Sequence, residues 1–287
     1  MNISGAISIK PLRIMRKKPL DFLLFSLTWV FAAVTVAVLV FVIGYILVRG
    51  VPNLTPSLFA IRFTPDNQSL LPSLITTAIL VFCALVIAIP IGVFSAIYLI
   101  EYARRGSFYV KVVRVMTENL TGIPSIVFGL FGYLLFTSIL GLGYSLISGT
   151  LTIAIMVLPL IIRTTEESLK SVPDTFREGS FGLGAGRLRT VMRIVLPSAM
   201  PGILAGVILS VGRIVGETAA LMFTLGSVAR IPGSLMESGR TLAVHMYILS
   251  GEGMFVGQAY ATASVLLVLV ICINAISGQI AKKISKK

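Results

Sequence analysis

Between Glu118 and Arg163 the chain runs for 44 residues without one charged side chain. As a single helix that run would be roughly 66 Å long, about twice the roughly 30 Å hydrocarbon core of a bilayer. It is too long to cross a membrane once and too apolar to coat a soluble surface. It must fold back, and the glycine-rich stretch Gly141-Leu-Gly-Tyr-Ser-Leu-Ile-Ser-Gly149 is the expected turn. This one run therefore predicts two membrane spans.

Similar runs occupy residues 22–48, 67–100, 199–225 and 253–281; only 199–225 contains charges, Arg213 and Glu217. The span in 67–100 is expected to start near Pro72 and to be interrupted by Pro90 and Gly92. Charged residues make up 12% of the chain, against roughly 25% in an average soluble domain. In lipid the backbone must satisfy itself, which leaves helices or a closed barrel, and the alternating pattern of a barrel is missing. The fold class predicted is an all-α membrane protein of about six transmembrane helices. It reads as one membrane domain over residues 1–287, with a core at about 72–282 preceded by a tail and first span in 1–50.

Charge placement orients the six spans. One side collects Lys10, Arg13, Arg16, Lys17 and Lys18, then Arg104, Arg105, Lys111 and Arg114, the six cations of 163–198, and four in the C-terminal tail: nineteen in all. The other side holds Arg49, Arg62, Arg230 and Arg240. The positive-inside rule then puts both termini in the cytoplasm. Because the cations lie between apolar segments instead of along one face, the net charge of +13 speaks for topology and against nucleic acid. The first apolar run is far longer than the roughly 7–15 residues of a signal-peptide core, so it reads as a retained span. Cys83 and Cys272 fall inside apolar stretches and form neither a disulfide framework nor a metal site. His245, the sole histidine, has no His or Cys partner and reads as a loop residue.

The longest internal hydrophilic segment, 163–198, contains Glu178-Gly-Ser-Phe-Gly-Leu-Gly184, nine further residues, and Ile194-Val-Leu-Pro197. In every spacing this resembles the E-A-A-x-x-x-G-x9-I-x-L-P loop of ABC importer membrane subunits. Gly179 and Ser180 stand where that pattern has two alanines, and both are small. The resemblance implies that Glu178, Gly179, Ser180, Gly184, Ile194, Leu196 and Pro197 form a coupling element that docks on a separate ATPase subunit. Gly182-Leu-Gly-Ala-Gly186, in the same loop, follows no apolar strand and is no nucleotide fingerprint. Nowhere is Gly followed by Lys, so the phosphate cradle of a P-loop is missing. This chain is expected to bind no cofactor, with ATP and Mg on the partner ATPase.

A second constellation is Arg213-Ile-Val-Gly216-Glu217-Thr-Ala-Ala. An Arg near mid-bilayer costs roughly 2.5–3.5 kcal/mol on insertion scales. Glu217, four residues on, is expected on the same helix face, where it offsets part of that cost. The two residues read either as a structural ion pair or as a site lining a translocation path; Arg suits a tetrahedral oxyanion through its forked donors. Gly202, Gly206, Gly212 and Gly216 permit close helix contact, within the bundle or at a subunit interface. In the third span, Pro124 leaves Thr121 and Ser125 as pathway candidates or as parts of a packing kink. Arg163 is either a second oxyanion contact or a snorkelling cation.

Together with Asn119-Leu-Thr-Gly-Ile-Pro-Ser-Ile-Val-Phe-Gly-Leu-Phe-Gly132, these residues resemble the phosphate-specific ABC permeases of the PstA type, and Gly-Glu-Thr-Ala at 216–219 is the most distinctive element. The resemblance implies a type I ABC importer permease fold and no covalent chemistry. It also implies a homologous second permease subunit, an ABC ATPase dimer and an extracytoplasmic phosphate-binding protein. Permeases for molybdate or sulfate, and ion-coupled secondary carriers, are the rival readings. An intramembrane enzyme would need a nucleophile, metal or acid–base cluster that the sequence lacks.

Overall fold

The computed structural model describes residues 19–104 and 106–285. Among the cations counted for topology, Lys10, Arg13, Arg16, Lys17, Lys18, Arg105, Lys286 and Lys287 lie outside them. Every regular element described is a helix. The elements are α1 (Pro19–Gly50), α2 (Leu71–Ile97, closing in a π-turn Tyr98–Tyr102), α3 (Phe108–Thr121), and α4 (Ser125–Gly132, extended by a π-turn Tyr133–Ile139). They continue with α5 (Leu146–Lys170), α6 (Asp174–Gly182), and α7 (Arg187–Thr190), which a π-turn Val191–Val195 joins to α8 (Leu196–Val215). Then come α9 (Ala219–Thr224), α10 (Leu242–Glu252) and α11 (Val256–Ser285).

Among the described residues, five helices are long and apolar enough to cross a membrane: Phe22–Asn53, Leu71–Tyr102, Leu146–Lys170, Arg187–Val215 and Val256–Ile276. A bent pair, Phe108–Thr121 and Ser125–Ile139, passes the same test only when its two helices are taken together, which would make six. The chain divides into two compact units between Arg49 and Gly50. In the first, α1 exposes Trp29, Val36, Phe41 and Val48 around its circumference, as a helix bathed in lipid requires.

The second unit is organised around α5, the most buried spanning helix. One core cluster joins Leu80 and Ala84 of α2, Phe128 of α4, Ile153 and Val157 of α5, Ile214 of α8 and Leu221 of α9. A second joins Ala96, Leu99, Val110, Leu169, Val172, Val191 and Val195. Ser145 starts α5 by accepting the Ser148 N–H at 3.3 Å. The turn before it runs through Gly141 and Gly143, both at positive φ, while Gly149 already belongs to the helix.

Four expectations need correction. Pro90 does not interrupt α2, which runs through it; neighbouring helices and local backbone adjustments accommodate a proline in a membrane helix. The expected third span is broken at 122–124 by 106°, so only Ser125–Ile139 continues it. There Pro124 offers no N–H, and its ring pushes Ile123 out of the helical region. The fifth span does not run unbroken to 225: the helix ends at Val215, with Gly216 as its C-cap. His245 is no loop residue. It lies fully buried in α10, a helix that Thr241 starts by accepting the Val244 N–H.

Candidate docking surface and translocation site

The segment expected to couple to an ATPase folds as a small helical hairpin. Pro173 caps α6, and Asp174 places a negative charge in its first turn, where the helix dipole favours one. The chain then reverses through Leu183 and Gly184. Gly184 has φ +80°, a left-handed conformation that suits glycine and strains a β-branched residue. Ser180, the one buried residue of α6, meets Thr190 of α7, hydroxyl to hydroxyl at 2.8 Å. That closeness demands a small side chain where the family pattern has alanine. Glu178 and Gly179 point outward.

Between the two arms lies a groove of about 660 Å³ lined by Phe176, Gly179, Ser180, Leu183, Arg193 and Ile194. Leu183, at its tip, is 91% exposed. A leucine so exposed beside Phe176 and Phe181 in a charged loop has the character of a protein contact surface. The structure thus brings Gly179, Ser180 and Ile194 together on one groove, with Glu178 and Gly184 on the same hairpin. Leu196 and Pro197 belong to α8, where the π-turn leading into the helix accommodates the missing N–H of Pro197.

Two helix breaks, 122–124 and 216–218, pack against one core: Ile214 belongs to the same cluster as Phe128 and Ala220, and Leu120 and Ile123 pack upon it. Arg213, half-buried, occupies the last turn of α8. The expected ion pair is not formed. Glu217 lies beyond the Gly216 cap, so a four-residue spacing no longer means a shared face; its Oε1 accepts the Ala220 N–H at 3.1 Å and caps α9. Among the described residues no carboxylate lies within 4.0 Å of Arg213. A Cβ at Gly212 would meet nothing within 4 Å, and one at Gly216 only the Gly212 carbonyl, so the helix end beside Arg213 faces open space at both glycines. Gly202 and Gly206, by contrast, press on Ser168 and Thr164 of α5, which assigns them to packing within the bundle.

Thr121 ends α3, its hydroxyl donating to the Glu118 carbonyl at 2.6 Å, and Ser125 begins α4; they flank the first break and do not lie within one span. Arg163 pairs with Glu167 at 3.1 Å on the exposed side of α5. Both line a cavity of about 140 Å³ with Glu118 and with Glu166, which Arg114 and Lys170 each approach at 3.2 Å. Sequence reasoning missed Arg177 and Glu101, a nearly buried pair at 2.8 Å. The available signal was an arginine directly before the motif glutamate. It also missed Arg240, whose guanidinium stacks on Phe63 at 4.7 Å. Arg240 and His245 lie between spanning helices. Burial, with the Arg240 charge adding to it, pushes His245 down to about 3 and keeps it neutral.

Residues 88–286 match the family described as binding-protein-dependent transport system inner membrane component. The chain is 32% identical to the probable ABC transporter permease protein YqgI of Bacillus subtilis (strain 168), over 95% of this chain and 99% of that one. It is 31% identical to the phosphate transport system permease protein PstA of Haemophilus influenzae, over 92% and 94%. Its fold matches a chain in the crystal structure of a bacterial alginate ABC transporter in complex with alginate pentasaccharide-bound periplasmic protein. That match has a TM-score of 0.71 at 14% identity, covering 96% of this chain and 99% of the other.

Proposed function

Since this chain belongs to the binding-protein-dependent transport system inner membrane components, we propose that it is the membrane-spanning permease subunit of an ATP-driven importer of inorganic phosphate. The observation that carries the substrate is Arg213: a guanidinium with no carboxylate within 4.0 Å among the described residues, beside open space at Gly212 and Gly216 where the helix breaks. Broken membrane helices typically mark where transporters hold polar cargo. The planar fork of Arg fits a tetrahedral oxyanion with two parallel hydrogen bonds. Glu217 holds the break by capping α9, which leaves the cation available. The phosphate transport name of the Haemophilus influenzae relative, similar over nearly its whole length, supports the same substrate.

The rest of the machine follows from this reading. Both termini face the cytoplasm, and the hairpin of α6 and α7 docks on an ABC ATPase dimer that binds ATP and Mg and hydrolyses the nucleotide. A homologous second permease completes the pathway, and an extracytoplasmic phosphate-binding protein delivers the cargo. The chain itself binds no cofactor. Arg213→Lys, which keeps the charge and loses the fork, is expected to lower phosphate uptake at least about tenfold, a cost of about 1.4 kcal/mol. Uptake is measured in vesicles holding the assembled complex and normalised to subunit content. Near-normal uptake by this variant would remove Arg213 from the pathway.

A further inference from the structure

The docking helix α6 is scarcely held by apolar packing, because Ser180 is its one buried residue. Ser180 ties it to α7; among the described residues, what ties it to the ends of α2 and α5 is a single side chain. Arg177, 14% exposed, donates from Nε and Nη2 to Glu101 Oε1 at 3.1 and 2.8 Å. Its Nη2 also donates to the Leu169 carbonyl at 2.9 Å, and its Nη1 to the Val172 carbonyl at 2.8 Å and to Asp174 at 3.2 Å. Glu101, 8% exposed, sits in the π-turn that closes α2. The Leu169 and Val172 carbonyls belong to the end of α5 and the residues just after it. One guanidinium therefore joins the docking helix to the ends of two spanning helices.

The far side of each contact is stiff. Leu169 and Val172 are buried in the same cluster as Ala96 and Leu99 of the α2 end, so α2 and α5 move together where Arg177 holds them. The near side is loose, as the burial of α6 shows. Because packed interiors transmit displacement instead of absorbing it, a push on α6 reaches the spanning helices through whatever bonds cross the gap. Planar, five-donor Arg is the side chain able to hold two elements at fixed angles. A π-turn is a frequent functional site within a helix, and here it carries the acceptor.

We propose that Arg177 and Glu101 are positioning residues of transport: the joint through which movement of the docked ATPase shifts α2 and α5. This rests on the docking reading of the α6–α7 hairpin, and the test separates the two. The full complex, with its ATPase and binding protein, is reconstituted in vesicles, and phosphate uptake per ATP hydrolysed is measured with ATPase retention. Glu101→Gln lies outside the docking surface, keeps an acceptor and removes the charge. It is expected to retain the ATPase and to lower uptake per ATP about tenfold, within the usual range of coupling between sites. A fall of less than about fivefold with the complex intact overturns the joint.

Arg177→Met with Glu101→Met replaces the pair by an apolar contact, which a merely structural ion pair tolerates. Assembly with uncoupled hydrolysis supports the proposal. Normal coupling overturns it, as does failure of both variants to assemble, since the pair would then be a folding staple. Gly184→Ile tests docking alone. If that variant retains the ATPase in full, the docking reading fails whatever Glu101→Gln does.

Discussion

Segments 171–186 and 226–252 both lie between spanning helices, and they are built on opposite plans. In the first, α6 buries Ser180 alone and leaves Phe176, Phe181 and Leu183 in the open. In the second, α10 buries Leu242, Ala243, Val244, His245 and Leu249, and the Leu242 N–H donates to Thr77 Oγ1 of α2 at 2.9 Å. A segment that must follow a moving partner belongs at the low-stability end of a molecule. One welded into the bundle does not. The first segment carries its apolar surface outward, as the proposed docking requires, and the second turns it inward.

Two substitutions at glycine test that contrast, and they carry the largest effects. Gly184→Ile puts a β-branched residue at φ +80° and distorts the hairpin, at a cost of about 1–2 kcal/mol that falls outside the core. The ATPase should be lost and uptake should drop to background, with the melting temperature of the isolated subunit unchanged. Gly239→Val adds a Cβ at 2.8 Å from Pro232 and 3.0 Å from Thr76. Overpacking of this kind costs about 1–3 kcal/mol, so the melting temperature should fall. If Gly184→Ile melts the subunit, or Gly239→Val sheds the ATPase without melting it, the contrast is broken.

A smaller effect sharpens the buried side of the comparison. His245, held at about 3 in the fold against 6.5 when unfolded, stays neutral while the unfolded chain takes up a proton. The sign follows from linkage: stability is intact above about pH 6.5 and is lost progressively as pH falls from there toward 3. The Arg240 guanidinium adds to the shift, and Glu252 acts on Arg240 in the opposite sense. Melting temperature should therefore fall between about pH 7 and pH 5, and His245→Leu should flatten that slope. An unchanged slope in the variant would place the titrating group elsewhere.

How far each region could be read from sequence follows the same division. The spans were legible because lipid demands apolar length, and the hairpin at 174–190 because its small residues and glycine turn stand at a recognisable spacing. The two breaks were not. Hydropathy measures transfer into lipid and is blind to chain direction, so Pro124, expected at most as a kink, turns the helix by 106°, while Pro90, expected to interrupt, is absorbed. Glu217 was paired with Arg213 on a spacing that holds only inside a helix, and the helix stops between them. His245 gives no sign of burial in the sequence, where a lone polar side chain between spans reads as a loop residue. Arg177 and Glu101 lie 76 residues apart in sequence, and no local pattern joins them.

The smallest effect is expected at Gly179, and it bears most directly on what the exposed segment meets. A Cβ there would find nothing within 4 Å, so Gly179→Ala neither strains α6 nor fills a gap. In the free subunit its effect is on helix formation alone: alanine favours the helix by up to about 1 kcal/mol. If the partner leaves room at this point, docking onto a better-formed helix should tighten, by at most about fivefold for that energy. The measurement is the affinity of the isolated ATPase for permease in membranes, compared with the wild-type chain. Weaker binding would mean that the ATPase surface closes directly over Gly179, making the glycine a contact point. Unchanged binding would mean that α6 is already fully formed before docking, so that the looseness of this segment lies in its attachment through Arg177 and not in the helix itself.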